Sequence, residues 1–206
     1  MIEPARTLSP IQILAEGRDT QVVIECICKA IDLKAQCHDF GGKDEFRPRL
    51  RALVIGSGFI ENVKTVAIVR DAEMSAAAAF QSAADACVAA GLPRPPKHGS
   101  LTSDATPRTG IYVLPDGTSA GMLETLLARV VAGDSVDGCI DSFLACAADR
   151  LGREPTPRDK AWLQSFVATR PHLARTLRDA AKAGLFDWRH DALAPLRAFL
   201  SELRRQ

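Results

Sequence analysis

The sequence predicts an α/β protein: a mostly parallel sheet of about four strands flanked by helices, with a helical C-terminal appendage. Three observations carry this. Strand and helix patterns alternate four times before about residue 135, as they do in a parallel sheet joined by helical crossovers. The run "KTVAIVR", Lys64 to Arg70, is β-branched and nearly continuous, as a strand buried on both faces must be. Beyond Ser135 the strand patterns stop and helical periodicity continues to the end. The expected units are residues 1–134 and 135–206, the second packed on the first.

The elements follow in order. "IQILA", Ile11 to Ala15, is a short apolar strand, and "EGRD" turns the chain. "TQVVIECICKAI" has apolar residues at Val22, Val23, Cys26, Ile27, Ala30 and Ile31, the spacing of a helix with a broad buried face. "AQCHDF" is the second strand, closed by Gly41-Gly42, and "DEFRPRLRALVI" is a helix with an early proline, Pro48. After "KTVAIVR" comes the alanine-rich helix "SAAAAFQSAADACVAAGLP", stopped by Gly91 and Pro93. "GIYVL" is the fourth strand and "AGMLETLLARVV" the fourth helix.

In the C-terminal region, "SVDGCIDSFLACAADRL" is helical. Thr156-Pro157 opens another helix, with a capping hydroxyl and a first-turn proline. "PHLARTLRDAAKAG" is a helix that ends on Gly184. The last helix puts Leu193, Leu196, Phe199, Leu200 and Leu203 on one stripe, expected to pack within the same chain. The proline-rich connection "LPRPPKHGSLTSDATPRT" carries Arg94, Lys97, His98 and Arg108. It reads equally as a solvated loop or a substrate-contacting one.

Composition narrows the function. The net charge is +1, so no whole-protein field draws the chain to nucleic acid or membrane, and any basic surface must be local. No run approaches ~18 apolar residues and the N-terminus lacks an apolar signal core, so a cytoplasmic protein is expected. Cys26, Cys28, Cys37, Cys87, Cys139 and Cys146 sit mostly in apolar periodic segments and are expected to be buried free thiols. Cys26 and Cys28 are too close in sequence for a zinc knuckle, and no second pair has ligand spacing.

The stretch "VAIVRDAEMS" ends a hydrophobic strand on two acids at alternate positions, Asp71 and Glu73. If the strand stays extended to its end, both project the same way from the carboxyl edge of the sheet. The first strand ends on Glu16, with Asp19 one turn later, and strands one and three are often neighbours. Converging carboxylates repel one another unless a hard cation such as Mg²⁺ or Mn²⁺ neutralises them. The competing reading is that acids after a strand are helix caps, with Asp71 or Ser75 capping the helix at Ala76.

"ILAEGRDTQVVIECI" resembles the first Toprim motif, and "AIVRDAE" the second, a strand ending in Asp-x-Asp. "HDFGGKDEF", "FQSAADAC", "YVLPDGTSAGMLETLL" and "AGLFDWRHDALAPLRAFLSEL" resemble a family of small stand-alone Toprim-like proteins. That family is related to the Toprim nucleases of the overcoming-lysogenization-defect group. The resemblance covers nearly the whole chain and implies a Toprim-like, Rossmann-like fold. It implies a Mg²⁺- or Mn²⁺-dependent nuclease acting on DNA or RNA, with a separate ATPase partner in phage defence. Glu16 would be the catalytic acid or base, and Asp71, Glu73 and Glu124 would hold metal. Asp19 and Asp116 are additional candidates, and Gly17, Gly41 and Gly42 match tight backbone turns. The sequence departs from the pattern in Glu73, where Asp is usual, in Thr20, where an acid is usual, and in Ala15, where valine is usual.

Two other readings remain at this point. A non-catalytic Toprim-like module would bind nucleic acid or protein, and the C-terminal helices would suit a homodimer or another partner. A phosphoacceptor receiver domain also carries acids after strands one and three, but "YVLPDGT" lacks its lysine and Glu16 stands without a neighbouring acid. The chain contains no Gly-x-x-x-x-Gly-Lys-Ser/Thr phosphate loop, so an ATPase would be another chain.

Overall fold

The computed structural model describes residues 9–170 and 176–205. Four parallel strands, β1 (Ile11–Ala15), β2 (Gln36–Asp39), β3 (Thr65–Asp71) and β4 (Arg108–Leu114), lie in the order β2-β1-β3-β4. This is the four-stranded parallel α/β sheet that the sequence predicts. The central strands are buried on both faces, whereas the edge strand β2 is half-buried throughout. Gln12, polar but wholly buried in β1, is satisfied locally: its amide nitrogen donates to Ser9 and Gln36, and its oxygen meets His38 Nε2 at 2.7 Å.

Alternation along the strands builds two cores. Ile13, Ala67, Val69, Tyr112 and Leu114 face one way, and Leu14, Val66, Ile68, Ile111 and Val113 the other. The second face is covered by α2 (Phe46–Val54), α3 (Phe59–Asn62) and α4 (Ala76–Ala89). Pro48 sits in the first turn of α2, where a missing N–H costs little. The single turn α3 has too few residues to show periodicity, and the sequence reading does not anticipate it. The first face is covered by α1 (Gly17–Ala30), α5 (Leu123–Val130) and the helical region.

That region comprises α6 (Asp137–Leu151), α7 (Arg158–Ala168), α8 (Leu177–Lys182), a 3₁₀ turn (Asp191–Leu193) and α9 (Ala194–Glu202). The first part of "PHLARTLRDAAKAG", residues 171–175, lies outside the described residues. Leu193, Leu196, Phe199, Leu200 and Leu203 are all buried in the core that contains Ile13 and Tyr112, so the stripe packs within the chain. The end of α9 meets the amino edge of the sheet. Thr65 Oγ1 donates to the Leu203 carbonyl at 3.3 Å, and the Arg108 guanidinium donates to the carbonyls of Glu202, Leu203 and Arg205.

Two local expectations change. Pro157, not Thr156, occupies the cap position of α7, and the Thr156 hydroxyl donates to the Glu154 carbonyl instead. All six cysteines are free, but Cys139 and Cys146 are exposed. On α6 only Ile140 and Leu144 are buried, so the face carrying Cys139, Phe143 and Cys146 lies outside the core. Among the described residues, no helix is long and apolar enough to cross a membrane.

Candidate functional site

Pairing between β1 and β3 brings their ends together. Ala15 pairs with Val69, and the Glu16 N–H donates to the Val69 carbonyl at 2.9 Å. The Glu16 side chain lies across to β3, where its Oε2 accepts from the Asp71 N–H at 3.2 Å. The next residue, Gly17, has φ of +78°, a conformation that lets the chain turn from strand to helix within one residue. Across the edge, Gly41 has φ of +73°, and a Cβ there would stand 2.7 Å from Glu45 Oε2. Gly42 has neither a positive φ nor a close neighbour, so no tight turn requires glycine there.

Asp71 does not cap α4; Ser75 does, accepting from the Ala78 N–H at 3.3 Å. Asp71 Oδ1 instead accepts from the Leu123 N–H at 2.9 Å, at the start of α5, where the helix dipole favours an anion. This single N–H does not offset its surroundings. Burial raises the Asp71 pKa from its ordinary 3.8 to about 7, and the charges of Glu16, Glu124 and Glu73 push the same way. Glu16 is raised by burial too, but the Arg70 guanidinium and the Asp71 N–H oppose the shift.

Glu73 departs from the expected geometry. The strand ends at Asp71, and Glu73 has φ of +51°, so the backbone is not extended and the alternation rule fails. Its N–H and carbonyl each bond to Gly121 at 2.8 Å, which holds the turn, and the residue is exposed. It stays near enough to raise the pKa values of both Glu16 and Asp71.

A cavity of about 370 Å³ opens at this edge, with Glu16, Asp19, Asp71 and Glu124 on its wall and Gly17, Gly41 and Gly42 beside them. Glu73 and Asp116 are not on that wall. Asp116 closes the "PDGTS" turn: its carboxylate accepts from the Thr118 and Ser119 N–H groups and pairs with Arg129 at 2.9 Å. Partial burial works to raise its pKa, but these bonds outweigh burial and hold it well below the usual carboxylate range.

The helical region supplies cations to the same wall. Lys160 of α7 lies 3.8 Å from the buried Glu124, and Arg178 of α8 lies 3.4 Å from Asp19. A hydrogen bond from Thr125 to Asp159 ties α7 to the head of α5. Lys160 and Arg178 have no local motif, because only packing brings them to the sheet edge, and the sequence reading misses both. It also misses Arg70, although a charge inside a run otherwise buried on both faces is itself an anomaly. The proline-rich connection turns inward instead. His98 Nδ1 accepts from the Val113 N–H at 3.0 Å and its ring packs on Tyr112, while Arg94 pairs with Asp85. None of its residues lines the cavity.

Among the described residues, no three histidine, cysteine or acid side chains close into a cage for one ion. The donor set suits an open site. Mg²⁺ usually takes one or two carboxylates and completes its shell with water and phosphate oxygens. Two acids joined across the strand ends, Glu16 and Asp71, with Glu124 close enough to raise the Asp71 pKa, fit that chemistry.

Residues 10–205 match the model of the family described as "Protein of unknown function (DUF3226)". Among solved structures, the C-terminal region of the Burkholderia pseudomallei OLD protein is similar. It shares 15% identity at a TM-score of 0.53, covering 96% of this chain and 98% of that one. The C-terminal region of the Xanthomonas campestris pv. campestris OLD protein matches at 16% identity and a TM-score of 0.42, over 96% and 95% of the two chains. At this identity the first likeness speaks for the shared fold. No curated protein matches the sequence.

Proposed function

The chain belongs to the DUF3226 family, and on the geometry of its sheet edge we propose that it is a metal-dependent nuclease of Toprim type that cleaves phosphodiester bonds in DNA or RNA. One observation carries the reading: an acid-lined cavity at the carboxyl ends of β1 and β3, with Asp71 raised to about 7 by burial and neighbouring carboxylates. Charge stored in this way is costly to the fold and suits a cation-binding edge.

Asp71 and Glu124 are the acids that would hold Mg²⁺ or Mn²⁺, with Glu73 at the rim. When bound, such an ion would polarise the scissile phosphate and acidify a water. Glu16, the carboxylate beside Asp71, would help hold the ion and is also the group to activate that water or to protonate the leaving oxygen. Lys160 and Arg178, paired with Glu124 and Asp19, are the cations available to phosphate oxygens. We further propose a cytoplasmic setting with a separate ATPase chain as partner, in defence against phage.

A second reading is a non-catalytic module that binds nucleic acid or a protein partner, including a second copy of itself. The exposed, turned-away Glu73 and the lack of a three-ligand cage among the described residues favour it. Cleavage of plasmid and single-stranded substrates, with Mg²⁺ or Mn²⁺ and a co-encoded ATPase present, separates the two. Cleavage by the wild type that is lost in Asp71→Asn supports the nuclease. A wild type that neither cleaves nor binds millimolar Mg²⁺ by calorimetry supports the module.

A further inference from the structure

Alternation along β3 sends Val66, Ile68 and Arg70 to the face covered by α2 and α4. Val66 and Ile68 are wholly buried, and Arg70 is only 4% exposed. A guanidinium in that row is expensive, because its lost hydration costs several kcal/mol unless strong partners replace it. The replacements here are thin. The group lies 5.9 Å from the centre of the Phe46 ring, and its Nε makes no hydrogen bond. Its ionic contact is with Glu16 Oε2, at 3.6 Å. An apolar side chain would fill the row without the hydration cost, so core stability does not explain an arginine at this position.

The contact with Glu16 does. The same oxygen, Oε2, takes both the Asp71 N–H at 3.2 Å and the Arg70 charge. Both groups come from consecutive residues of β3, one from the backbone and one from beneath the edge. Two anchors on one oxygen restrict rotation of the carboxylate, and neither engages Oε1. We propose that Arg70 is a positioning residue, which clamps Glu16 through Oε2 and so fixes how Glu16 meets the cavity. This rests on the reading of that cavity as a Mg²⁺ or Mn²⁺ site. Partners that orient a ligand from behind typically change metal affinity or activity by about 10–100-fold when removed.

The test uses the full chain with Mn²⁺ as probe. Affinity is read by calorimetry, folding by circular dichroism, and kcat and KM separately on single-stranded substrate with any partner ATPase. Arg70→Met keeps the volume and removes the charge; it is expected to fold, to weaken Mn²⁺ binding by ~10-fold or more and to lower kcat at unchanged KM. Arg70→Lys should recover part of the loss. The loss should also vanish in a Glu16→Gln background, because the clamp then has no anion to hold. If Arg70→Met alone does not fold, the comparison runs between Glu16→Gln and Glu16→Gln/Arg70→Lys, whose Mn²⁺ affinities should be equal. Wild-type affinity and kcat in Arg70→Met, or an equal loss in both backgrounds, overturns the clamp and leaves the metal reading standing. No Mn²⁺ binding by the wild type overturns both.

Discussion

The two edges of the sheet are built to opposite ends. At the amino edge, the Arg108 guanidinium and the Thr65 hydroxyl donate to the carbonyls of the last turn of α9, so charge there meets acceptors. At the carboxyl edge, Glu16, Asp71 and Glu124 face one another across a cavity, and Asp71 meets only one N–H. The first edge closes the core, and the second stores negative charge at the expense of the fold. The proposed metal site rests on this difference, because stability alone gives no reason to gather carboxylates at one edge.

The largest way to break the comparison is at the closed edge. Deleting the residues after Asp191 removes Leu193, Leu196, Phe199, Leu200 and Leu203 from the core. Each buried side chain of this size contributes roughly 1.5–3 kcal/mol, so five exceed the stability of a typical domain of ~5–15 kcal/mol or come close to it. The shortened chain is expected to aggregate. A soluble product with an unchanged melting temperature would mean that α9 is dispensable.

Next comes the open edge. Asp71 binds its proton more tightly in the folded than in the unfolded chain, so protonation favours the fold. That contribution is complete below pH 3.8, and it is lost as the pH rises through about 7. The metal-free wild type should therefore lose stability across this window, whereas Asp71→Asn should stay flatter and at least as stable at pH 8. Metal affinity should run the opposite way and weaken below pH 7, because the ion competes with the proton. Cleavage by Asp71→Asn should fall by ~10²–10³. Melting temperatures without metal from pH 4 to 8, beside cleavage rates, check both halves. A wild type whose metal-free stability rises with pH in the same way as that of the variant would contradict the stored charge.

Glu124→Gln should have a smaller effect, on the order of tenfold in cleavage, since Glu124 already has Lys160 at 3.8 Å. Its signature is a change in the metal concentration needed for half-maximal rate. An unchanged metal dependence would make Glu124 a partner of Lys160 and nothing more.

How much of this was legible in the sequence follows from the range of the forces involved. β1 and β3 are readable because a strand buried on both faces needs a nearly continuous apolar run, which Ile11 to Ala15, broken only at Gln12, and Val66 to Val69 supply. Glu16 and Asp71 were readable because they end those runs. Lys160 and Arg178 were not, because their position depends on how α7 and α8 dock against α5 and α1, which no local spacing encodes. Glu73 does not project beside Asp71 for a local reason: the alternation rule holds only while φ stays negative and extended, and the chain leaves that region just after Asp71.

Glu73 also offers the finest test of the two edges. A side chain other than glycine at φ of +51° costs about 1–2 kcal/mol, and asparagine tolerates this region better than glutamate. Glu73→Asn also removes one charge that raises both Glu16 and Asp71. Both effects favour the fold, so the variant should melt slightly higher, by roughly 0.5–1 kcal/mol of added stability. If Glu73 stays at the rim, cleavage should change less than tenfold, far below the loss in Asp71→Asn. A loss as large as that of Asp71→Asn would mean that Glu73 ligates the ion. The left-handed turn held by Gly121 would then have to open when metal arrives, and the added stability of the variant would report the strain that the loaded site releases.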